Sequence, residues 1–198
     1  MRLPCPALLS LLALLCCPAV GVAVEVDPLA RLRWLVGEWE GVGEGVSLGS
    51  KQRREVLCAL ECRHLNVESQ SITAATPASP ARDAALDGPM PAALGMWTVD
   101  ASHRRLVLHT FDSQASVTSY AEVAQRANAA AVANRLVVMA QWRPGRHDGW
   151  RARFSYHFQP PDTFHERFEV ARAGGAWELV AAHTFRRRTG TPAALRPG

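Results

Sequence analysis

Residues 150–171 read WRARFSYHFQPPDTFHERFEVA, and this stretch decides the fold class. Before the prolines, Trp150, Ala152, Phe154, Tyr156 and Phe158 alternate with Arg151, Arg153, Ser155 and His157. After them, Phe164, Phe168 and Val170 alternate with His165, Arg167 and Glu169. A period of two with one apolar and one charged side is the pattern of a strand wrapped on a core and wet outside. Pro160-Pro161-Asp162 breaks the run, so the two halves form neighbouring strands joined by a turn.

Working outward, the same signal recurs. Extended stretches are expected from Trp39, over Arg54–Cys58, Arg63–Thr73, Gly95–Val99, Arg105–Phe111, Val117–Ala124, Arg135–Trp142 and Trp177–Arg187. Breakers separate them, among them Asp100-Ala101-Ser102-His103, Pro144-Gly145 and Gly174-Gly175. Residues 122–135 are ambiguous, because their alanines favour helix on propensity while the flanks favour strand. We read them as a strand end and an irregular connection. Ala75–Leu94 holds four prolines and reads as a long loop, a candidate flap over a barrel mouth. Residues 189–198 read as a disordered tail. Many short strands with little helix imply an all-β sandwich or barrel, in one antiparallel domain over residues 24–188.

Upstream, Asp27-Pro28 is a helix start, and Leu29, Leu32 and Leu35 keep one face apolar. Residues 1–23 have a basic start, the apolar run LLSLLALLCC and small residues before Ala23. They read as a secretory signal peptide, with an uncleaved anchor helix as the alternative. Cleavage removes three of five cysteines and leaves Cys58 and Cys62. In a periplasmic or secreted protein, two cysteines suggest one disulfide. On one continuous strand their Cα atoms would stand about 13 Å apart, beyond bridging reach. The bridge therefore requires a hairpin here, with Ala59-Leu60-Glu61 as its loop.

The stretch LVGEWEGVGEG, Leu35–Gly45, has the composition of a phosphate-binding loop but not its context. Such a loop precedes a helix, whose N-terminus faces the anion. Here the helix comes first, extended chain follows, and Glu38, Glu40 and Glu44 repel an anion. The better reading is a first barrel strand with a nearly bare inner face. Glycines on that face leave room for strand coiling or for something packed on the backbone.

The formal net charge of +4 comes from scattered arginines, not a basic stripe with interleaved aromatics, so nucleic-acid binding is not expected. A single lysine among abundant arginine and alanine suggests a GC-rich bacterial gene. No metal site is expected from the cysteines. No Gly-x-Ser-x-Gly elbow is present, and the carboxylates near Trp39 share one wet face, so no catalytic set is assigned. His157 and His165 fall on the charged side and read as surface polar pairing. His183 alternates with Trp177, Leu179, Ala181 and Phe185, on the inner side of the last strand.

The Gly37-x-Trp39 turn after a short helix resembles the start of the calycin barrels, which include lipocalins, fatty-acid-binding proteins and haem-binding nitrobindins. The order of Gly37–Gly43, Gly95–Asp100, Arg104–Ser113 and His183–Arg188 is similar to a related bacterial domain family of unknown function. The resemblance implies a single calycin-like barrel with a short N-terminal capping helix. It also implies that Arg186 or Arg187 packs over Trp39, a structural pair beside Gly37. His183 would correspond to a haem-ligating histidine, although no cofactor is expected. The expected role is binding a small apolar or amphipathic ligand inside the barrel, against Trp97, Met139, Trp142, Phe154, Tyr156, Phe168 and His183. The alternatives are a filled barrel acting as an envelope interaction or structural module, and a haem or enzymatic site centred on His183. No membrane span is expected once the signal is cleaved, and a homodimer is left open.

Overall fold

A computed structural model describes residues 27–73, 93–111, 117–124, 134–141 and 149–188. The segment 1–23 read as a signal peptide, most of the 75–94 stretch read as a loop, the middle of 122–135, Trp142 and the 189–198 stretch read as a tail lie outside these residues. The described chain forms ten antiparallel strands: β1 (Gly37–Gly43), β2 (Lys51–Ala59), β3 (His64–Thr73), β4 (Ala93–Asp100), β5 (Arg105–Phe111), β6 (Val117–Glu122), β7 (Arg135–Gln141), β8 (Arg151–Gln159), β9 (Thr163–Ala171) and β10 (Glu178–Arg187). Each pairs with its sequence neighbour, and β10 returns to β1 to close the barrel. Closure leaves neither β1 nor β10 as a bare edge.

The register sets which residues face inward. Phe154 pairs with Phe168, Tyr156 with Glu166 and Phe158 with Phe164, so the apolar series of the β8–β9 hairpin points to the core. The outer rows carry Arg151, Arg153, His165 and Arg167. Such charges suit a water-facing surface rather than a lipid-facing one. Among the described residues, no helix is long and apolar enough to cross a membrane.

In place of an α-helix before β1, Pro28–Leu35 is 3-10 helical. The leucine spacing explains this. With three residues per turn, Leu29, Leu32 and Leu35 fall on one line, and all three are buried. Each such burial stabilises by about 1.5–3 kcal/mol. Asp27 caps the segment by accepting from the Leu29 N–H at 2.9 Å. The segment closes one end of the barrel. Trp34 meets Trp39 edge-on at 5.6 Å and Phe158 at 5.4 Å. The Trp39 indole N–H donates to the Leu35 carbonyl at 2.6 Å.

Cys58 and Cys62 are bonded, with Cα atoms 4.5 Å apart. The hairpin differs from the expected one. Cys58 stands opposite Leu65 and Ala59 opposite His64, so Cys62 sits in the turn rather than across from Cys58. Leu60, Glu61 and Cys62 all have φ between 50° and 59°. This left-handed run curls the chain enough to bring residues four apart together. A left-handed conformation at three non-glycine residues is intrinsically unfavourable, and the bridge holds it closed. Reduction should raise the intact mass by about 2 Da and lower stability by about 2 kcal/mol for so short a loop. An unchanged mass would show the bridge absent.

The inner alternation of β10 breaks once. Register shifts between Leu179 and Ala181, so an extra residue sits in the strand. Leu179 therefore pairs with Glu169 on the outer face, and Trp177 lies outside, with the Arg153 guanidinium 4.3 Å from its ring. The expected inner series Trp177, Leu179, Ala181, His183 and Phe185 holds only from Ala181 onward.

Candidate functional site

The bare face of β1 is occupied by packing. A Cβ on Gly41 would lie 2.5 Å from the Phe185 ring, which is fully buried. A Cβ on Gly43 would lie 1.8 Å from the Ser47 carbonyl oxygen. The glycines thus admit an aromatic ring and a returning turn against the backbone. That turn, Glu44–Ser50, covers the β10 edge where β1 ends. The Ser47 hydroxyl accepts from the Ala182 N–H at 3.0 Å, and the Glu44 N–H donates to the Ala182 carbonyl at 2.9 Å.

At the closed end, Arg187 is the arginine over Trp39, with its guanidinium 4.3 Å from the ring. It also donates to the carbonyls of Val36, at 2.9 Å, and Trp34. Gly37 has φ +130°, and a Cβ there would strike Arg187. Arg186 pairs with Glu40 in register and faces outward.

The barrel interior is not uniformly apolar. Arg54 points inward from β2 between Gln52 and Val56, because its register partner on β1 is Trp39. Glu166 points inward from β9 between Phe164 and Phe168. The two meet across the interior, with Arg54 Nη1 donating to Glu166 Oε2 at 2.7 Å and Nη2 to Oε1 at 2.9 Å. The Arg54 Nε–H donates to Ser69 Oγ at 2.9 Å, and the guanidinium stands 4.2 Å over the Phe185 ring. Their side chains are only 11% and 9% exposed, so this is a buried ion pair. Burial alone would raise the Glu166 carboxyl, but the Arg54 charge and hydrogen bonds reverse this and hold it below the usual range. Burial likewise opposes the Arg54 charge, and Glu166 more than compensates. Tyr156 faces the same carboxylate. Burial and the Glu166 charge push its phenol well above the ordinary value, so it stays protonated.

His183 is 5% exposed and sits beside this pair in register with Glu166. Its Nε2 lies 3.0 Å from Ser50 Oγ, and the Ser50 hydroxyl donates to the Ser47 carbonyl at 2.7 Å. A hydroxyl has one proton to give, so the His183 Nε2–H donates to Ser50. A haem does not fit this interior. That nitrogen is engaged, and the space beside it is about 80 Å³.

This cavity has a mixed lining. Val56, Val67, Trp97, Leu108, Phe154 and Phe168 are among its apolar residues. Gln52, Arg54, Ser69, Ser71, Glu166 and His183 are among its polar ones. Of the residues expected to line a site, Trp97, Phe154, Tyr156, Phe168 and His183 are brought together here. Met139 is not: it pairs with Arg153 on the outer face, and Leu136, Val138 and Ala140 point inward from β7. The unbroken apolar run of β7 hides its phase in the sequence. Trp142 lies outside the described residues.

Sequence reasoning missed Arg54, Glu166 and Ser50. A signal for Glu166 was present, since it sits in the apolar phase between Phe164 and Phe168, where a lone carboxylate calls for a buried partner. No protein-family model matches this chain, and a search of curated proteins gives no match either.

Proposed function

We propose that this is an exported, calycin-like barrel that binds a compact amphipathic molecule inside. The observation that carries the reading is the mixed lining of the cavity. Aromatic and aliphatic side chains line it together with a polar array around the Arg54–Glu166 pair. A buried ion pair costs desolvation, and an apolar pair of equal volume would stabilise the fold as well or better. Its presence beside a cavity favours a polar group to be oriented. Apolar burial supplies affinity, and Gln52, Ser71 and Tyr156 offer groups that fix direction. The Cys58–Cys62 bond fits an oxidising, exported setting.

The cavity volume supports a second reading. At about 80 Å³ it holds a few small groups and falls below the roughly 300 Å³ of a drug-sized pocket. A filled barrel working as an envelope interaction or structural module accounts for that. Native mass spectrometry of the purified protein separates the two. An added mass smaller than a two-chain phospholipid, lost on denaturation, is the expected result. A bare polypeptide mass moves the assignment to the filled-barrel module.

A further inference from the structure

A second concavity of about 610 Å³ lies along β7–β10 beside the turn after β1, bordered by outward-facing side chains and by Tyr156, Glu166 and His183 from the interior. Arg135 stands in register with His157, and His157 with His165. The two imidazoles stack with centroids 5.9 Å apart. Arg167 lies two residues along β9 on the same face, and all four basic side chains border the groove. His165 is held by Thr184, with Nδ1 at 2.6 Å from Oγ1. The Thr184 hydroxyl donates to Glu44, so the Nδ1–H of His165 donates to Thr184. Glu44 is the carboxylate at the rim, and it is engaged by that hydroxyl. Glu166 reaches the groove wall from inside, with its charge paired to Arg54.

Many arginines here sit against a carboxylate, as Arg31, Arg33, Arg53, Arg153 and Arg188 do. Arg151 and Arg172 instead lie near tryptophan rings. Among the described residues, Arg135 and Arg167 have no ion-pair partner. Two uncompensated guanidinium groups flanking one concavity make a local excess of positive charge, with fork-shaped donors that match phosphoryl oxygens.

We propose that this groove binds a phosphoryl-bearing anion, held by Arg135 and Arg167 with the His157 imidazole between them. The groove shares Tyr156, Glu166 and His183 with the lining of the interior cavity, but Arg135, His157 and Arg167 border the groove alone.

Calorimetric titration at fixed ionic strength, with inorganic pyrophosphate as probe, tests this. Arg135→Ala and Arg167→Ala should each weaken binding by about tenfold, the size expected for losing a charge-assisted hydrogen bond. Arg63→Ala removes the same charge from the exposed β2–β3 turn and should leave binding unchanged. A second arm uses phosphatidylcholine vesicles containing phosphatidic acid, pelleted with the same variants. Groove-dependent binding of pyrophosphate alone identifies a soluble phosphate. Groove-dependent binding to the vesicles identifies a lipid headgroup. Equal weakening by Arg63→Ala, or no binding in either arm, overturns the proposal. All three arginines are on the surface, so unchanged thermal melts are expected and separate loss of binding from loss of fold.

Discussion

Arg54→Met is expected to destabilise the protein by about 3–5 kcal/mol at neutral pH, the cost of leaving one member of a buried pair uncompensated. Glu166 would then sit between Phe164 and Phe168 without its guanidinium partner. The pH dependence gives the sharper test. In the wild type the folded-state value of Glu166 is depressed by Arg54, so its contribution is complete above the usual carboxylate range and is lost as pH falls through the lowered value. In Arg54→Met burial, the largest single influence, outweighs what remains from His183 and Tyr156, so the folded-state value is raised and the folded state prefers the protonated acid. That variant should gain stability as pH falls from about 7 toward about 5, where the wild type gains none from this group. The difference between the two should therefore narrow on acidification. Urea unfolding at both pH values measures it. A loss within about 1 kcal/mol at pH 7 would show that the charge is not buried in solution. Arg54→Met combined with Glu166→Leu should recover most of the loss, because no orphaned charge remains.

Trp39→Ala should cost about 3–5 kcal/mol, in the range for truncating a fully buried aromatic residue. The indole is wholly buried and meets Phe164 at 5.0 Å, Trp34 edge-on, and Arg187 on its face. The 3-10 segment, which packs on this ring through Trp34, would lose part of its floor. Trp39→Phe keeps much of the ring contact and leaves the Leu35 carbonyl without its donor, so it should cost about 1–2 kcal/mol. Denaturant unfolding of both variants distinguishes packing from hydrogen bonding. Equal losses would contradict the packing account.

Particular residues show how far the sequence could be read. The β8–β9 hairpin was legible in full outline because its polar and apolar residues alternate regularly, with Glu166 the one charged residue in the apolar phase. In β7 the run Leu136-Val137-Val138-Met139-Ala140 is apolar on both faces, so Met139 could be assigned inside when register places it outside. In β10 the alternation is regular on paper, but the extra residue before Ala181 reverses the phase of Trp177 and Leu179. A bulge forms between two strands, so one strand's sequence does not announce it. The bare glycine face of β1 was readable as space; that Phe185 and Ser47 fill it was not.

Strand identity, strand order along the chain and the requirement for a turn at Cys58–Cys62 came from the sequence itself. Each rests on interactions among residues a few positions apart: period-two alternation, turn chemistry and the reach of an extended chain. Closure of β10 on β1, the choice of Arg187 over Arg186 and the meeting of Arg54 with Glu166 belong to the tertiary structure alone. Those last two lie 112 residues apart in the chain. Only the barrel register brings them onto the same level of one interior, where low polarity turns a distant arginine and glutamate into an obligatory pair.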